Sequence, residues 1–173
     1  MVGGNSGERK ISLASGKACI KALKKKNYNV SIFDPKFKNL NLINKLKTDA
    51  IFNALHGKGG EDGIAQSYFE YLKIPYTHSG VVSSYNAMNK IISKNLFTKS
   101  KILTPKYFSL TKKEFNNKRL KELVTQKKIN FPLVIKPINE GSSLGVKICN
   151  KTASLFRSIS NLFKKNYEEL IIE

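Results

Sequence analysis

The chain has 173 residues, 40% hydrophobic and 25% charged, enough for one sizeable core or two small ones. No apolar run approaches the roughly 18 residues of a membrane span. The Met1-Val2-Gly3-Gly4 start lacks a secretory pattern, and Cys19 and Cys149 lie too far apart for a zinc or disulfide framework, as suits a cytoplasmic protein. The formal charge of +19 points toward nucleic acid, but Arg9, Arg119 and Arg157 are the only arginines among 31 basic residues. Nucleic-acid readers favour the bidentate fork of Arg. The lysines are spread along the chain with abundant Asn and Ile, so compositional bias accounts for the charge and neither a nucleic-acid nor a membrane partner is expected.

In chain order, a Gly-rich start leads to a helix over 11–26 with Ile11, Ala18, Cys19, Ala22 and Leu23 on one side. Residues 28–33 alternate as a strand and stop at Asp34-Pro35. A short helix is expected over 40–46, and the apolar run 50–55 reads as a buried parallel strand. A second Gly-rich loop, 56–63, precedes a helix over 64–72, then a short extended Ile74-Pro75-Tyr76. The stripe Tyr85, Met88, Ile92, Leu96 predicts one helix over 83–97. Alternation of strand and helix implies right-handed crossovers and an open parallel sheet, with ligands at the loops leaving the strands. Only Met1-Val2 precede the first glycine loop, so the first strand is expected to be little more than a stub.

The pattern changes near residue 100. Residues 106–110 read as extended, and Thr111-Lys112-Lys113-Glu114 reads as a capping box opening a helix to about 126. A strand follows over 131–136, a third glycine loop over 137–145, an extended 146–149, a helix over 153–165 and a last strand over 170–173. The expected domains are 1–98 and 99–173.

Apart from Gly16 and Gly80, every glycine falls in the three loops: Gly3, Gly4 and Gly7; Gly57, Gly59, Gly60 and Gly63; Gly141 and Gly145. Glycine serves where backbone turns sharply or approaches a ligand closely. The same loops hold Glu8, His56, Glu61, Asp62 and Glu140, which suggests one convergent site. The third loop lies between strands, so it resembles a phosphate-covering hairpin with an amide nest more than a P-loop. No GxGxxG opens a helix after a strand, which argues against a nicotinamide site.

The segment from His56 to Ser67, HGKGGEDGIAQS, resembles the HGxxGEDG motif of the D-alanine–D-alanine ligases. Residues 3–9 (GGNSGER) resemble that family's opening GGxSxER, and 11–16 its VSLxSG. Residues 74–80 resemble IPYTGSG with His78 in place of a glycine, and 88–90 resemble MDK with Asn89 in place of aspartate. Residues 134–146 resemble VKPxxEGSSxGV. The resemblance runs in the family's order over the whole chain. It implies an α/β fold: an open parallel-sheet N-terminal domain, then a small α+β ATP-grasp central domain, with the large C-terminal part absent.

The resemblance also implies chemistry. ATP would phosphorylate the carboxylate of one D-alanine, and the amine of a second would attack the acyl phosphate, for peptidoglycan synthesis. Glu8 would hold the first ammonium with Ser142 as its hydrogen-bond partner, and His56 would sit near the first carboxylate. Lys90 and Lys136 would meet ATP phosphates. Glu140, Gly141, Ser142, Ser143 and Gly145 would close over them, and Glu173 would touch the adenine. Glu61 and Asp62 are expected to tie their loop to the next helix rather than to act chemically. Magnesium is expected of the family, whose metal acids lie in a segment after the one matched here, so no metal ligand is assigned. A truncated or split ligase is one reading of the product. A non-catalytic remnant, or a binding subunit whose partner chain supplies the rest, is another; a D-alanyl-D-lactate ligase fragment is a third. The 173 residues alone are expected to make no dipeptide. A homodimer is a further implication of the family.

Overall fold

The computed structural model describes residues 1–173, which divide into compact units Met1–Met88 and Asn89–Glu173. In the first unit, helix α1 (Arg9–Lys25) is followed by a 3-10 turn (Leu40–Lys45), α2 (Ile64–Tyr71) and α3 (Val81–Met88). The parallel sheet is reduced to short extended segments. Ile51 and Tyr76 form a parallel bridge, Met1 N donates to Phe52 O at 2.9 Å, and Ala54 N donates to Met1 O at 3.0 Å. Val2 N donates to Phe33 O at 3.0 Å, so the stub lies between the segments at 33 and 52–54. Phe33, Ile43, Ile51, Leu55, Ala65 and Phe69 form the core beneath. Ser12 ties α1 to this frame: its hydroxyl accepts from Gly3 N at 2.7 Å and donates to Ala54 O at 2.6 Å.

The second unit opens with α4 (Lys90–Lys99) and carries β1 (Phe108–Thr111), α5 (Asn117–Gln126), β2 (Leu133–Pro137), β3 (Lys147–Cys149), α6 (Thr152–Lys164) and β4 (Glu169–Ile172). The sheet order is β1-β4-β2-β3, antiparallel throughout, with Ile135 opposite Ile172 and Pro137 opposite Leu170. Leu133 and Ile135 of β2, Leu170 and Ile172 of β4, Leu120 of α5, and Leu155 and Ile159 of α6 fill its core. No helix in the chain is long and apolar enough to cross a membrane.

Two helix expectations are corrected. The predicted helix over 83–97 is two helices, broken at Asn89, whose side chain accepts from Ile91 N and Ile92 N at 3.0 and 3.1 Å and starts α4 afresh. The Thr111–Glu114 pair is bonded as a capping box would be, but it closes a turn at the end of β1. Asn116 caps α5 instead, accepting from Arg119 N at 2.8 Å.

Candidate functional site

Within the first unit, the loops around 3–9 and 56–63 come together. Glu8 sits at the start of α1 and is buried, with 4% exposure. Ser6 Oγ accepts from Glu8 N at 3.1 Å and donates to His56 O at 2.6 Å, so one hydroxyl joins both loops. Gly57 has φ +68, and a Cβ there would lie 2.8 Å from Glu8 Oε1. Only glycine lets the second loop pass this close to the carboxylate. Arg9 pins the first loop to the turn at 34–35 through a two-pronged pair with Asp34, at 2.7 and 3.0 Å. The Arg9 hydrogen bond holds the Asp34 carboxyl at about 2, below its ordinary 3.8, against the opposing effect of burial.

His56 is held on both sides. Its Nε2 lies 3.0 Å from Ser15 Oγ on α1, and its Nδ1 lies 3.6 Å from Glu61 Oε1. Ser15 donates to Ile11 O at 3.0 Å. With its proton directed there, the hydroxyl offers the imidazole a lone pair. His56 lines two cavities of about 380 and 430 Å³, one bounded by the Gly3-Gly4 turn and Lys58, the other by Ser15, Glu61 and Gln66. Ligand atoms of Glu8, His56 and Glu61 lie within 4.8 Å of one another. Magnesium favours all-oxygen octahedral sites, and an imidazole within this set does not fit it.

Asp62 ties the loop to α2 as expected, accepting from Ile64 N at 3.2 Å as well as from Gly59 N at 2.8 Å, whereas Glu61 acts within the loop, accepting from Gly57 N at 2.7 Å and facing His56. Asn53 and Gln66 hold the loop from below, both donating to Gly60 O, at 2.9 and 2.8 Å. His78, where the motif has glycine, adopts φ +80 and pairs its Nδ1 with Thr77 Oγ1 at 2.7 Å. The motif's glycine is thus explained by a left-handed backbone that histidine occupies at a cost.

Within the second unit, β2 delivers Lys136 at its end and the loop 138–146 follows. Ser142 and Ser143 have φ of 44 and 59, and Leu144 N donates to Gly141 O at 2.9 Å, so the loop turns tightly on itself. Gly145, at φ +74, has Pro137 where a Cβ would fall, 2.7 Å away. Lys90, at the start of α4, grips this loop: its backbone N donates to Ile138 O at 3.0 Å and its ammonium donates to Glu140 O. Lys136 pairs with Glu173. The Glu173 carboxyl would be raised by burial, but hydrogen bonds from Lys136 and Lys94 outweigh this and hold it below the usual carboxylate range.

The structure therefore brings Glu8 and His56 together in the first unit. In the second it gathers Lys90, Lys136, Glu173 and the loop bearing Glu140, Gly141, Ser142, Ser143 and Gly145. Sequence reasoning missed Ser15, Asp34 and Lys94. Ser15 lies in the SLASG segment, and Lys94 is four residues from Lys90, hence on the same helix face.

A family model described as "D-ala D-ala ligase C-terminus" matches residues 96–173. A protein of Pelagibacter ubique named D-alanine--D-alanine ligase is 51% identical over 172 residues, covering 99% of this chain and 55% of that protein. A crystal structure of D-alanine--D-alanine ligase from Bacillus anthracis superposes with a TM-score of 0.85 at 38% identity, over 98% of this chain and 54% of that one. A second structure of that protein, complexed with ATP, gives 0.81 at 36% identity, over 98% of this chain and 55% of that one. The chain thus spans about half the length of the relatives it matches.

Proposed function

The chain belongs to the D-alanine–D-alanine ligase family, and from that premise we propose that it carries the first D-alanine pocket and the phosphate-binding strand and loop of an ATP-dependent ligase making D-alanyl-D-alanine. The observation that carries this reading is the convergence of Glu8 and His56 on two glycine loops, with His56 lining a cavity of about 430 Å³. Glu8 receives the ammonium of the first D-alanine. Its burial strengthens that pairing, because few waters compete for the carboxylate. His56 faces the first substrate's carboxylate, where a donor offsets negative charge as it develops.

Transfer of the γ-phosphoryl group to that carboxylate yields D-alanyl phosphate and ADP. The amine of the second D-alanine, having lost a proton, then attacks the acyl carbon, and the tetrahedral intermediate expels phosphate. Such transfer rests on positioning and charge neutralisation. Lys136 and Lys90 supply the cations. The loop from Glu140 to Gly145 covers the phosphates and excludes water, which would hydrolyse the acyl phosphate. Ser142 and Ser143 lie in that covering loop, and Glu173 meets the adenine. Magnesium is expected from ligands beyond these residues, and the cytoplasm, where ATP is available, is the compartment this chemistry requires.

The test is a chimera in which this chain replaces the matching segment of the Pelagibacter ubique relative. ATP-dependent D-alanyl-D-alanine synthesis is expected, falling about a hundredfold or more with Glu8→Gln. A folded chimera that makes no dipeptide contradicts the reading and favours a non-catalytic remnant.

A further inference from the structure

Lys94 is buried, with 7% exposure, an unusual state for an ammonium group. Its three protons have three acceptors: Glu173 Oε2 at 2.6 Å, Pro105 O at 2.8 Å and Thr104 Oγ1 at 3.0 Å. The ring of Tyr107 lies 5.0 Å away and adds a cation–π contact. Lys94 is saturated and fixed. Lys136 differs: its side chain is 29% exposed, and it holds the other oxygen of the same carboxylate, Glu173 Oε1. One buried carboxylate is therefore shared between a buried, fully bonded lysine and a more exposed one.

This sharing matters if Lys136 serves a phosphate. Taking a partner from a buried charge is strongly destabilising when nothing remains to compensate it. Here Lys94 remains. We propose that Lys94 is a positioning residue, the fixed countercharge of Glu173 that lets Lys136 exchange its carboxylate for a nucleotide phosphate. The same exchange bares Glu173 Oε1 for a hydrogen-bond donor on the base, so phosphate and base are admitted together. The inference rests on the ATP reading of this unit and assigns it a residue that reading does not use.

The test is titration of the purified 173-residue chain with Mg·ATP and, separately, with adenosine, which has no phosphate to recruit Lys136. Lys94→Met is expected to weaken ATP about tenfold or more while leaving adenosine within about threefold, because Lys136 then stays committed to Glu173. Equal losses for both ligands would reveal a merely structural lysine, and an unchanged ATP affinity would reveal none; either result overturns the proposal. If Lys94→Met does not fold, the double variant Lys94→Met/Glu173→Gln, which leaves no buried ion pair to break, is titrated in its place. With no carboxylate to hold Lys136, its ratio of ATP to adenosine affinity should match the wild-type ratio within about threefold; a ratio about tenfold lower overturns the proposal. A folded wild-type chain that binds neither ligand defeats the ATP reading itself, and the inference with it. Wild-type binding with an indifferent Lys94→Met defeats the inference alone.

Discussion

At Asn89 the family motif has aspartate, yet the position keeps its work. The side-chain oxygen accepts from two backbone amides of α4 at 3.0 and 3.1 Å, a task that Asn and Asp perform about equally well. Asn89→Asp should leave urea-unfolding stability within a few tenths of a kcal/mol, and Asn89→Ala should cost about 1 kcal/mol. An alanine variant as stable as wild type would remove the cap from the account. His78 is the opposite case: its φ of +80 suits glycine, and a pattern of residue types cannot reveal a backbone angle. Lys94 was hidden for another reason. In a chain this rich in lysine, nothing in composition marks the one whose surroundings hold its ammonium inside.

Among the elements, α1 is the best anchored to the site. Ser12 and the Arg9–Asp34 pair fix its first turn, which carries Glu8. Arg9 lowers the folded Asp34 to about 2 from 3.8, so the pair's contribution is complete above the unfolded value and is lost as the pH falls through about 2. Both partners are partly solvated, so Asp34→Asn should cost roughly 1 kcal/mol at neutral pH. That difference from wild type should shrink in unfolding curves taken from pH 4 down to 2, and a constant difference would contradict the assignment. Helices were legible from their apolar period, as α1, α2 and α6 show. The break between α3 and α4 was not, because the stripe from Tyr85 to Leu96 runs through it and only the capping preference of Asn89 marks the stop. Thr111 misled similarly: pairing with Glu169 in the sheet claims it for β1 and leaves helix initiation to Asn116.

At the scale of the whole molecule, each unit has its own core and its own share of the candidate site residues. The parallel frame of the first unit was readable from runs such as 50–55. Its strands are so short that a single regular bridge, Ile51 to Tyr76, represents it. The glycine loops were the most legible part of the site, because glycine is selected by backbone geometry and stands out against a lysine-rich background. The ties that orient the site, from Ser15 to His56 and from Ser6 to both loops, depend on tertiary neighbours that spacing does not show.

Above all, the corner around Glu8 and His56 is proposed to hold a D-amino acid by its ammonium. Isothermal titration of the purified chain with D-alanine and L-alanine measures it directly. D-Alanine should bind more tightly than its mirror image, and Glu8→Gln should weaken D-alanine about tenfold or more through loss of a charge-assisted hydrogen bond. Equal binding of the two enantiomers, or a Glu8→Gln chain that binds D-alanine as wild type does, would contradict it.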